Sequence, residues 1–117
     1  MKSKIIAMVA FIFYTTAISA QEKQKKIETI EFKVFGVCDM CKERIENAAL
    51  IKGVKHTQWN KHSGVIKVVY NVNKVTVNDI HKSVADSGHD TDKFKSSEKN
   101  YNKLPQCCAY RDGVQTH

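Results

Sequence analysis

The sequence predicts an α+β sandwich in which two helices cover one face of a four-stranded antiparallel sheet. Three observations carry this reading. Short runs alternate apolar and polar residues with a period of two; two longer runs repeat apolar residues at helical spacing; and the runs follow one another as strand–helix–strand–strand–helix–strand.

The first strand is read at Ile30 to Val34, where Ile30, Phe32 and Val34 alternate with Glu31 and Lys33. Gly36 breaks it. The stretch "CKERIENAALI" then places Cys41, Ile45, Ala48 and Ala49 along one stripe and leaves Lys42, Glu43, Glu46 and Asn47 for water. Gly53 is the stop signal. Two extended runs follow, Val54 to Asn60 and Val65 to Tyr70, joined by "KHSG". The second is rich in β-branched residues, so a hairpin is expected.

A second helix opens at Thr76, with Asp79 three residues later in a capping-box pattern that uses Asp in place of Glu. Its stripe is Val77, Ile80 and Val84, and Gly88 ends it. A short run through Phe94 is expected to supply the fourth strand. This order is the split βαβ, ferredoxin-like arrangement. Beyond Phe94 the chain turns polar, then reads "KLPQCCAYRDGVQTH", with the only proline at Pro105. Without periodicity, this tail is expected to be a largely irregular extension.

The N-terminus has the order of a secretory signal peptide: Lys2 and Lys4, the apolar run Ile5 to Tyr14, then small residues to Ala20. A membrane span wants roughly 20 apolar residues, more than this run offers. Cleavage after Ala20 would leave 97 residues, enough for one small domain. No cysteine lies near the cut, which argues against a lipid anchor, and no stable membrane insertion is expected after cleavage. The organisation expected is a signal peptide at 1–20, a polar leader at 21–27, the domain at 28–95 and a cysteine-containing tail at 96–117. Localisation follows as exported, periplasmic if the cell is Gram-negative and secreted otherwise.

Without residues 1–20 the chain keeps 17 basic and 12 acidic side chains, a net charge of +5. The lysines are scattered apart from "KQKK" (Lys23 to Lys26), and export argues against a nucleic-acid partner. The four cysteines fall into two tight groups, Cys38/Cys41 and Cys107/Cys108. Disulfide scaffolds spread their cysteines through loop-rich chains, and this chain is rich in regular patterning.

The first pair sits where strand gives way to helix, with Cys38 in the loop and Cys41 in the first helical turn. Such a turn holds two sulfurs on one side of an exposed loop. Thiolate is the metal ligand, and the helix N-terminus favours negative charge. Lys42 and Arg44 nearby add to that, so both thiols are expected to ionise easily. Two thiolates suit a soft, low-coordinate ion, Cu(I) first and Hg(II) as an analogue. A structural Zn(II) would want four ligands.

In "GVCDMCKERIENAALIKGV" (Gly36 to Val54), "VIKVVYN" (Val65 to Asn71) and "DIHKSVADSGHD" (Asp79 to Asp90) the chain resembles the heavy-metal-associated domain family. The family comprises copper chaperones, the N-terminal domains of metal ATPases and periplasmic mercury-scavenging proteins. The resemblance implies a metal-binding Cys38 and Cys41, and exchange of Cu(I) with a metal-transporting membrane ATPase or another metal-binding protein. The protein is then a monomer or a metal-bridged dimer. One departure stands out. The family carries a methionine two residues before the first cysteine, packed beneath the metal loop; here that place is Gly36, and Met40 lies between the cysteines.

His89, after Gly88, falls where some copper chaperones place a histidine that reaches the metal; the alternative is a surface histidine with no role. His56, His62, His81 and His117 lack ligand spacing. Met40 has two readings, a soft thioether that approaches the ion or a flexible space-filler at the loop, and the second is the working expectation. Cys107 and Cys108 have three readings: extra thiolates from a tail that folds back, a disulfide to Cys38 or Cys41, or an independent site or dimer contact. The first is the working expectation.

The main rival function is a thiol–disulfide oxidoreductase, in which C-x-x-C also opens a helix. That fold wants a proline facing the cysteine loop, and Pro105 lies beyond the core; it also wants a Trp before the pair, where this chain has Val37 and its Trp59 is read far off in the hairpin. No nucleophile–base constellation points to hydrolysis, so no enzymatic activity is expected. An interaction module without metal traffic would have no use for the intact cysteine pair.

Overall fold

The computed structural model describes residues 26–117. The expected signal peptide and most of the polar leader lie outside the described residues. The elements are β1 (Ile27–Lys33), α1 (Asp39–Ala49), β2 (Val54–Trp59), β3 (Val65–Asn71), α2 (Val77–Asp86) and α3 (Glu98–Tyr101). Two 3-10 turns follow at Gln106–Cys108 and Tyr110–Asp112. Among the described residues no helix is long and apolar enough to cross a membrane.

The sheet is antiparallel in the order β1-β3-β2, with Phe32 opposite Ile66 and Trp59 opposite Ile66 on its other side. Period-two alternation sends Phe32, Ile66, Val68 and Tyr70 to the covered face. Against that face α1 lays Cys41, Ile45 and Ala49, four residues apart, and α2 lays Ile80 and Val84. Each fully buried Ile or Val contributes roughly 1.5–3 kcal/mol of hydrophobic stabilisation. The helices are also tied to each other, since Ser83 Oγ donates to Ala48 O over 2.6 Å.

The capping box forms as the sequence predicts: Asp79 N donates to Thr76 Oγ1 (3.0 Å) and Thr76 N to Asp79 Oδ2 (3.3 Å). The fourth strand does not. Among the described residues the sheet has three strands, and the expected fourth is reduced to one bridge, Val34 opposite Thr91. Thr91 Oγ1 accepts from both Lys93 N and Phe94 N, and Thr91 N donates to Phe94 O. These side-chain bonds close residues 91–94 into a turn, which competes with extension.

The tail also differs from the expected irregular extension. It contains a third helix, α3, and folds back so that Tyr101, Cys108 and Ala109 are buried. Arg111 ties it down: Nη2 donates to Asp90 Oδ1 (2.7 Å) and Ser96 O (2.8 Å), and Nε donates to Asp90 Oδ2 (3.3 Å). The guanidinium lies over the Tyr101 ring, 4.6 Å from its centroid. Burial works against the charge on Asp90, but bonds from Arg111 and from Ser96 N outweigh it and hold the carboxyl below its ordinary range.

Candidate metal centre

The loop from Phe35 to Cys38 leads from the bridge at Val34 into α1, and Cys38 is the N-cap, with extended backbone and no side-chain cap bond. Its carbonyl accepts the first helical bond, from Lys42 N at 3.0 Å. Its sulfur is therefore free for other partners, one turn below Cys41. The loop packs tightly beneath. A Cβ at Gly36 would stand 3.1 Å from Cys41 Cβ and Ile45 Cδ1 and 3.2 Å from Trp59 Cη2.

That close approach accounts for the departure at Gly36. Trp59, 1 % exposed, fills the space under the loop, and its Nε1 donates to Val34 O and Gly64 O, each at 3.1 Å. With an indole beneath the loop, any side chain at Gly36 would crowd Cys41, Ile45 and Trp59, which would have to give way. Sequence reasoning left Trp59 in the hairpin, away from the cysteines. The available signal was the pairing of a missing methionine with a lone Trp at the inward-facing end of a strand.

The tail delivers the third sulfur. Cys108 Sγ lies 3.3 Å from Cys38 Sγ, and Cys38 Sγ lies 3.2 Å from Cys41 Sγ. The three sulfurs all lie within 4.8 Å of one another, and all are free thiols. They are not exposed, as the sequence reading expects of the loop, but buried: Cys38 is 4 % exposed, Cys41 and Cys108 0 %. Cys107 points elsewhere, its Sγ 3.7 Å from Met40 Sδ.

Ionisation differs among the three, contrary to the expectation that both thiols of the first pair ionise easily. Burial opposes the Cys38 thiolate, yet hydrogen bonds from Cys41, Cys108 and the backbone at Cys41 and Met40 outweigh it and lower the pKa to about 7. Burial pushes the Cys41 thiol up. It pushes Cys108 up as well, and the neighbouring Cys41 and Cys38 add to the rise. Cys38 is thus the first of the three to ionise. Neither of the two cations expected to help acts on the first pair: Arg44 Nη1 lies 3.5 Å from Cys108 Sγ and favours that thiolate alone. Lys42 turns instead to Glu46 and the carbonyl of Trp59.

His89 is not a surface residue, nor does the structure bring it into the three-sulfur group. Its ring is fully buried and stacked on Tyr110 at 5.4 Å. Nδ1 lies 2.8 Å from Phe35 O, an acceptor, so Nδ1 carries the hydrogen and Nε2 the lone pair. Nε2 has no hydrogen-bond partner among the described residues. Burial lowers the pKa to about 4, which keeps the ring neutral. The other histidines keep packing or surface places: His81 is buried on Phe32, their ring centroids 3.7 Å apart, while His56, His62 and His117 are exposed.

No family model matches the sequence, and no curated protein matches it. Solved structures do. The chain is similar to the CopZ metallochaperone, with 30% identity and a TM-score of 0.53, over 55% of this chain and 98% of that one. It is similar to the N-terminal domain of a potential copper-translocating P-type ATPase from Bacillus subtilis in the Cu(I)-loaded state, with 30% identity and a TM-score of 0.53, covering 56% and 84%. Oxidized MerP from Ralstonia metallidurans CH34 shares the fold, at 22% identity and a TM-score of 0.53, covering 56% and 93%.

Proposed function

The chain belongs to the heavy-metal-associated domain family, and from that membership we propose that it is an exported carrier of a soft metal ion, Cu(I) first. Its donors are Cys38, Cys41 and Cys108. The observation that carries the proposal is the all-sulfur group itself: three thiols within 4.8 Å of one another, with no oxygen or imidazole ligand among them. Soft donors in low number select soft ions. A closed zinc site would need a fourth ligand, and Cys107 is turned toward Met40. Cu(I) on two thiolates carries one negative charge, which the Arg44 guanidinium at Cys108 offsets.

The carrier takes the ion and passes it on by thiolate exchange to a metal-transporting membrane ATPase or another metal-binding protein. The likeness to a chaperone and to an ATPase domain supports this partner class. Its functional unit is residues 28–95 together with the tail at 96–117, released by cleavage after Ala20. A thiol–disulfide oxidoreductase would need an attacking sulfur open to a disulfide substrate, whereas Cys38 is 4 % exposed with a third sulfur 3.3 Å away.

The test is anaerobic titration of the reduced mature protein with Cu(I) against a competing chelator. One ion per chain, lost in Cys38→Ser/Cys41→Ser and weakened in Cys108→Ser, is expected. Failure to compete would sink the reading, and Hg(II) in a parallel titration ranks the cargo. Insulin reduction by the protein would support the oxidoreductase instead. Fractionation of expressing cells, with mass analysis of the mature N-terminus, checks export and the cleavage site.

A further inference from the structure

Hand-over by thiolate exchange needs an incoming sulfur to reach the ion before an old one leaves. Three of the four cysteine sulfurs are shut away, at 4 % exposure or less. The remaining soft donors stand outside them. Met40 is 49 % exposed, and Cys107 is half-buried with its Sγ 3.7 Å from Met40 Sδ. Each is the chain neighbour of a buried sulfur, Met40 of Cys41 and Cys107 of Cys108. A thiol and a thioether therefore flank the buried group from both sides of the loop–tail contact.

We propose that Cys107 and Met40 form a second, outer site for a soft monovalent ion, through which cargo enters and leaves the buried sulfurs. The proposal rests on the carrier reading above. Two sulfurs in line about an ion at about 2.3 Å each stand about 4.6 Å apart. The pair reaches this by opening under ~1 Å, which the three rotatable bonds of methionine allow. In the first state Cu(I) binds the Cys107 sulfur, whose proton goes to water, and the Met40 thioether. The Cys38 thiolate then attacks the ion and the copper–Met40 bond breaks. Cys41 attaches next, the copper–Cys107 bond breaks, and the proton leaving Cys41 passes to Cys107, with Cys108 completing the three-sulfur group. Copper stays monovalent throughout and no disulfide forms.

An outer site governs rate and leaves equilibrium alone, and that separates it from a fourth ligand. The experiment measures Cu(I) affinity by chelator competition, and Cu(I) transfer to a chromogenic chelator by stopped flow, for the mature protein and for Cys107→Ser, Met40→Leu and the double variant. Affinity within about threefold of the parent is expected. Transfer at least about tenfold slower in each single variant is expected too, with little further loss in the double because the two act as a pair. Unchanged rates overturn the outer site. An affinity loss as large as that of Cys38→Ser overturns it as well, since Cys107 would then be a resident ligand. If the parent fails to bind Cu(I), the carrier reading falls first and the outer site with it. The binding arm alone shows which has failed.

Discussion

Releasing the tail should unmask the buried sulfurs, and Arg111→Leu is the substitution that releases it. Arg111 donates twice to Asp90 and once to Ser96 O, and its guanidinium lies over Tyr101. A hydrogen bond to a charged group is worth about 1.5–3 kcal/mol, one to a neutral carbonyl about 1. The stacking on Tyr101 adds about 0.5–1 kcal/mol. The Asp90 and Arg111 side chains are 12 % and 24 % exposed, so solvent screens the pair in part. A loss of about 3 kcal/mol from tail docking results, or roughly a hundredfold more open tail. The assay is the reaction of the reduced protein with an aromatic disulfide reagent, in a Cys107→Ser background that removes the half-exposed thiol. The slow phase of the three buried thiols should speed up by about the same factor, while the far-UV dichroism keeps its shape. A rise under about threefold, less than ~0.7 kcal/mol, would refute the assignment of Arg111 as the clamp.

Three further outcomes follow from the packing. Gly36→Met restores the side chain that the family pattern carries but collides with Cys41, Ile45 and Trp59; it should cost about 1–3 kcal/mol in urea melts. Trp59→Leu should relieve part of that cost in a double-mutant cycle, and strictly additive losses would show that the two sites do not share space. For His89 the folded pKa, about 4, lies below the unfolded value near 6.5. Its contribution is therefore complete above pH 6.5 and lost as pH falls toward 4, up to about 3 kcal/mol. Denaturation at pH 7 and pH 4.5 should show a smaller loss for His89→Phe than for the parent; parallel profiles would contradict the neutral buried ring. Thr76→Ala removes one half of the capping box and should lower stability by about 1 kcal/mol on the same melts, and an unchanged midpoint would deny the box that role.

What the sequence made legible is whatever repeats locally. The alternation through Ile30, Phe32 and Val34, the stripe of Cys41, Ile45 and Ala49, and the Thr76/Asp79 box all depend on neighbours within four residues, and all form. The fourth strand failed because Thr91 Oγ1 captures two backbone N–H groups that the ladder would have used. The tail escaped because its order comes from distant partners: Arg111 on Asp90, and Tyr110 OH donating to Gly88 O while accepting from Asp90 N. Single polar and aromatic contacts of that kind leave no period to read. The site divides the same way. Cys38 and Cys41 were found from spacing and Cys108 was anticipated as a thiolate of a tail that folds back, while the parting of Cys107 from Cys108 and the indole beneath Gly36 required the fold.

Trp59 is the only tryptophan in the chain. It lies under the cysteine loop, 1 % exposed, with its N–H shared between two carbonyls. The protein therefore carries its own optical reporter. A dry indole emits at short wavelength, and no second indole contributes to the signal. Any shift of the loop that comes with ion capture changes the packing around that ring and therefore its emission. Loading, tail opening and transfer can then be followed by intrinsic fluorescence in the unlabelled protein, at concentrations low enough to separate tight binding from loose.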